Sequence, residues 1–140
     1  MSQENVEIVR CSWELLFLGG ASRGDFGAVF DEELYAPTAW VIPPVEILGP
    51  ERYVGRAGFV AWLRSFVEAF DEWRVSAKQI IDAGPDHVLV VGHQTGRGRG
   101  SGAAVEEDFS IVYTLKNAQV TILQVYRDPA DGRKAVGLTE

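Results

Sequence analysis

Hydrophobic positions change period along the chain, and the changes divide it into elements. Val6, Val9, Trp13, Leu16 and Phe17 recur three and four residues apart, which predicts an amphipathic helix over about 3–18. Gly19-Gly20 ends it. Phe26, Val29, Phe30 and Leu34 share one face of a second helix over 25–34, which Pro37 forbids from continuing. Residues 38–42 read as a strand stopped by Pro43-Pro44, and a short segment over 45–48 follows. The clearest helix covers 58–70, where Phe59, Trp62, Leu63, Phe66, Val67 and Phe70 form one broad apolar stripe wide enough to lie across a sheet. Beyond it the period falls to two. Residues 73–82 alternate as a strand and Ala83-Gly84-Pro85-Asp86 is a turn. HVLVVGHQTGRGRG, VEEDFSIVYTL and QVTILQVY then read as a three-stranded antiparallel meander, with one helical turn over 130–136 after Asp128-Pro129.

Helices that precede a run of sequential strands, without alternating with them, predict an α+β fold, and 140 residues without repeat or linker predict one domain over 1–140. The formal charge of −7 opposes nucleic acid binding. A single cysteine, Cys11, cannot form an internal disulfide and fits a reducing compartment. The start MSQENVE is polar and acidic, unlike a secretory signal, and no apolar run approaches the roughly 18 residues of a membrane span. A cytoplasmic protein that binds neither membrane nor nucleic acid is expected. Four Trp, four Tyr and seven Phe are enough large rings either to fill one thick core or to line a cavity.

Candidate chemistry is sparse. GRGRGSG precedes a strand and lacks the following helix and Lys-Ser/Thr pair of a phosphate loop, so it reads as a hairpin tip. His93 lies in phase with Leu89, Val91 and Thr95; facing a cavity it is a candidate acid–base group, and facing outward it is a surface or interface imidazole. Glu107 shares its phase with Phe109, Ile111 and Tyr113, which makes it a second candidate if that phase faces inward and a solvated strand-end carboxylate otherwise. His87 and His93 would stand roughly 20 Å apart on one strand, too far to share an ion, and no metal or cofactor site is expected. Trp13, Trp40, Tyr53, Trp62, Phe66 and Tyr113 come from separate elements and are the candidate walls of an apolar pocket.

The order of several stretches carries a resemblance over nearly the full length. These are VEIVRCSWELLFLGGASRGDF, the run Tyr53-Val54-Gly55-Arg56-Ala57-Gly58 entering a helix, GRGRGSGAAVEEDFSIVYTL followed by QVTILQVYRD, and the closing Ala135-Val136-Gly137-Leu138. In this order the chain resembles the NTF2-like superfamily, and within it the SnoaL-like group. The resemblance implies a cone-shaped barrel, with helices packed on a strongly bent, mostly antiparallel sheet, a pocket at the wide end, and frequent sheet-to-sheet dimers. Enzymes of the superfamily include ketosteroid isomerases, polyketide cyclases and epoxide hydrolases. The isomerases' first-helix tyrosine falls at Trp13, their base at Ile42 and their second carboxylate at Ile111, so isomerase activity is not expected.

Two functional readings follow. One is a pocket for an apolar, ring-containing small molecule, with or without acid–base chemistry at His93 or Glu107. The other is a non-catalytic homodimerisation domain working through its outer sheet face, suggested by strands apolar on both phases at 88–91 and 109–115.

Overall fold

The computed structural model describes residues 2–15, 30–44 and 51–138. Among them are three helices, α1 (Ser2–Leu15), α2 (Gly55–Ala69) and α3 (Pro129–Ala135), and six strands. The strands are β1 (Tyr35–Ile42), β2 (Tyr53–Val54), β3 (Phe70–Asp82), β4 (His87–Gly98), β5 (Ala104–Lys116) and β6 (Gln119–Tyr126). They form one open sheet in the order β2-β1-β6-β5-β4-β3, antiparallel at every pair except β1 with β6. The α+β expectation holds, with the predicted meander as the centre of the sheet.

The first half of the helix predicted over 25–34 lies outside the described residues, and the described half, 30–34, is not helical. Its described end is a turn, in which Leu34 and Tyr35 donate their N–H groups to the Asp31 carbonyl. The segment at 45–48 also lies outside. Helix α2 begins earlier than its apolar stripe, at Gly55, and its buried residues are Phe59, Trp62 and Leu63.

Two irregularities bend β3 around the core. Its pairing with β4 shifts between Asp71 and Arg74 and again between Ala77 and Gln79. At the first, Glu72 takes a positive φ of 56°, a left-handed conformation that costs a non-glycine residue about 1–3 kcal/mol. An extra residue in one strand reverses the face of every side chain after it. Phe70, Trp73 and Val75 therefore all line the same concave surface.

The β5–β6 turn is also set by twist. The Ala at 118 argues against a tight primed turn, yet Asn117 and Ala118 take φ of 53° and 62° between the paired Lys116 and Gln119. Two consecutive positive-φ residues match the right-handed twist of the flanking strands, and that match outweighs the poor fit of Ala. The glycine-rich stretch is a hairpin tip, and it has a packing role. Arg99 donates its backbone N–H to Ala69 and its guanidinium to Val67, satisfying carbonyls at the end of α2, whose own last turn has no basic residue.

Apolar side chains are buried on both faces of the sheet. The main core lies on the concave side and includes Val9, Trp13, Tyr35, Val41, Phe59, Trp62, Val88, Val90, Ile111, Tyr113 and Leu123. On the convex side Leu89, Val91 and Val112 are buried within the single chain. Helix α3 packs there against β4, β5 and β6. Its Gly132 lies so close to Ser110 and Leu89 that a Cβ at that position would overlap them. The apolar convex phase that suggested a partner subunit is thus covered by the chain's own C-terminal helix. No helix among the described residues is long and apolar enough to cross a membrane.

Candidate functional site

Between α1, α2 and the concave face lies a cavity of about 370 Å³. One end is closed by buried residues and the other is open. Its middle is a wall of rings. Phe59 and Trp62 are 5.8 Å apart, Trp62 and Phe66 meet edge-on at 5.6 Å, and Phe66 stacks on Trp73 at 5.1 Å with the planes 7° apart. Phe109, Ile111, Leu123 and Val125 face them from the sheet.

At the closed end four polar groups gather on apolar ground. Ser12 and Trp13 come from the last turns of α1, Tyr35 from the start of β1 and Tyr113 from β5, and all four are buried. Ser12 donates its hydroxyl to the Val9 carbonyl at 2.7 Å. Burial pushes the Tyr35 hydroxyl up to about 12, against a hydrogen bond with Ser12 that pulls it down. Burial also holds Tyr113 well above 10.0, with Tyr35 adding to the rise and the Trp13 and Ser12 groups opposing it. Both phenols therefore stay protonated through neutral pH, and this end offers hydrogen bonds without charge.

This burial predicts an alkaline limit on stability. A group whose folded pKa is raised contributes stability that is complete below its unfolded value, here 10.0, and lost as the pH climbs toward the folded one. Each tyrosine adds up to about 1.4 kcal/mol of lost stability per pH unit above that point. Urea unfolding across an alkaline pH series should show this slope, and Tyr35→Phe or Tyr113→Phe should each flatten it.

At the open end the polar groups form a chain. Trp73 donates its indole N–H to Gln94 Oε1 at 2.9 Å, and Gln94 Nε2 donates to Glu107 Oε2 at 3.0 Å. The other Glu107 oxygen lies 3.7 Å from the Arg127 guanidinium. All four residues line the cavity.

The structure separates the residues singled out from sequence. Trp13, Tyr53, Trp62, Phe66 and Tyr113 line the cavity, and so does Glu107. Trp40 does not: it is half-buried under the Arg52 guanidinium, 5.2 Å from its ring, and pairs with Ile122 on the other side of the sheet. His93 takes the outward of its two alternatives. Cross-strand partners share a face, and His93 stands opposite Asp108 and Ser76, one step out of phase with Gln94. Its Nδ1 lies 2.7 Å from Asp108 and its Nε2 3.1 Å from Glu106, while Lys78 reaches Asp108 at 2.9 Å. Asp108 is held below its ordinary value, chiefly by the His93 hydrogen bond and then by Lys78. His93 is therefore part of a polar cluster with Asp108, Glu106 and Lys78 on the convex face and has no access to the cavity. Periodicity could not decide this, because α3 covers the convex phase and makes Leu89 and Val91 as apolar as Val88 and Val90.

Sequence reading also passed over Ser12, Tyr35, Trp73, Gln94 and Arg127. Gln94 carried a signal, being the polar residue that interrupts the Val88–Val90–Gly92 phase. Ile111, which stands where an isomerase has its second carboxylate, lines the cavity, and Ile42, at the base position, is half-buried in β1. Among the described residues no cluster of His, Cys, Asp and Glu could hold a metal ion.

Helices over the concave face of an open mixed sheet, with a ring-lined hollow between them, define a cone-type α+β fold. Residues 17–133 match the SnoaL-like domain, and the chain belongs to that family. Among solved structures it is similar to an NTF2-like protein from Burkholderia xenovorans LB400, at 25% identity over 97% of this chain and 98% of that one, with a TM-score of 0.67. It is similar in fold to TerC, co-crystallized with polyporic acid, at 19% identity over 96% and 98% of the chains and a TM-score of 0.69. A third is SalBIII, described as an epoxide hydrolase/cyclase-like enzyme in pyran ring formation in the polyether salinomycin, at 19% identity over 91% and 95% and a TM-score of 0.65. No curated protein sequence matches the chain.

Proposed function

We propose that this protein binds an apolar, ring-containing small molecule in the cone between α2 and the sheet. The observation that carries the reading is the cavity itself: about 370 Å³, walled by Phe59, Trp62, Phe66, Trp73 and Phe109, with a few polar side chains among its lining. Pockets of this size and lining are typical small-molecule sites, with apolar walls supplying affinity and a few polar groups fixing orientation. The co-crystallization of TerC with polyporic acid and the ring-forming role named for SalBIII support the same ligand class.

Where proton transfer accompanies binding, Glu107 is the group placed to perform it, being the one carboxylate among the described lining residues. A ketosteroid isomerase mechanism does not fit apolar side chains at Ile42 and Ile111. Native mass spectrometry of protein taken directly from cells tests the reading. A retained small molecule, displaced by added naphthalene, is expected; a ligand-free protein that also fails to bind naphthalene would contradict it.

A further inference from the structure

The open end of the cavity is built more deliberately than its walls. Gln94 sits on the β4 phase whose other members, Val88 and Val90, belong to the core. A glutamine there must have its amide satisfied or aimed at something. Its orientation is fixed by chemistry on both sides. An indole N–H can only donate, so it takes the amide oxygen; a carboxylate can only accept, so it takes the amide nitrogen. Among the described residues these two bonds use one of the two N–H groups and one of the two oxygen lone pairs. One donor and one acceptor remain on a residue that lines the cavity.

Trp73 is held in place to make this happen. The irregularity at Glu72 brings it to the concave face, and Phe66 stacks on its ring. Without the extra residue, Trp73 would point to the convex side and Gln94 would lose the bond that locks its amide. Nearby charges are balanced, since Glu107 faces Arg127. An anionic ligand group would meet the Glu107 carboxylate and a cationic one the Arg127 guanidinium, so neither charge is favoured.

We infer that Gln94 is the specificity-determining residue of this pocket, selecting ring ligands that carry a neutral group able both to donate and to accept a hydrogen bond, such as a hydroxyl, with Trp73 as its positioning residue. This rests on the preceding reading that the cavity holds a ring ligand, and the test separates the two.

Naphthalene and 2-naphthol are titrated against wild type, Gln94→Leu, Trp73→Phe and Tyr113→Phe, followed by calorimetry. Wild type should prefer 2-naphthol over naphthalene by roughly three- to tenfold, the worth of one net hydrogen bond. In Gln94→Leu that ratio should fall to about one, and in Trp73→Phe, which keeps the stacked ring and loses the N–H, it should fall part of the way. A loss of mere packing would weaken both ligands together and leave the ratio alone. A ratio unchanged in Gln94→Leu, or abolished in Tyr113→Phe instead, would show that the hydroxyl is read elsewhere and overturns the inference while naphthalene binding keeps the cavity reading intact. Failure of folded wild type to bind either compound overturns both.

Discussion

Trp62→Ala should lower stability by about 3–5 kcal/mol, the range for deleting a buried large ring. Trp62 is 8% exposed and lies between Phe59 and Phe66, so its removal strips contacts from both neighbours and from the α2–sheet interface. Little can collapse into the space, because the cavity already borders it on one side and the ring contacts on the other are fixed by β1 and α2. The comparison that gives this meaning is Trp40→Ala. Trp40 is the same residue type, yet it lies half-buried on the convex side under Arg52. Its loss should cost closer to about 1 kcal/mol. Urea unfolding of the two variants side by side measures the difference, and equal losses would show that the concave face is not the principal core.

Gly92→Val should sharply weaken ring-ligand binding while leaving the fold in place. Gly92 is directly opposite Phe109 in the β4–β5 ladder, and the Phe109 ring lies over it where a Cβ would overlap the ring's outer atoms. Those atoms are the far end of a side chain, so they can move, and the free space open to them is the cavity. The added side chain gains strand propensity over glycine, about 1 kcal/mol, which offsets much of the overpacking. Naphthalene affinity should drop by at least about tenfold, a loss of ~1.4 kcal/mol in binding, with a smaller change in unfolding free energy. Gly92→Ala should fall between. Unchanged binding in Gly92→Val would mean that Phe109 does not border the occupied space.

The parts of the fold legible in sequence are those where one period holds over a whole element. The stripe Phe59-Trp62-Leu63-Phe66 places α2, and the alternation of Ile111, Tyr113 and Leu115 places β5 with its inner face correctly oriented. The same alternation brought Glu107 to the cavity. Where two faces of a strand are both covered, the alternation vanishes, and His93 and Gln94 could not be told apart. The β3 irregularity at Glu72 has no glycine to mark it, and the Asn117–Ala118 turn uses a residue that sequence rules disfavour. Tyr35 joins the closed end through Ser12 and Tyr113, partners far from it along the chain. Sheet geometry decides all of these, and a local pattern carries no record of it.

The most direct measurement is a crystal structure of the protein grown with 2-naphthol. Density for the two fused rings between Trp62, Phe66 and Phe109, with the hydroxyl at Gln94, is the predicted result. Side chains repacked to fill the hollow, or a ligand found only on the convex face, would contradict the account.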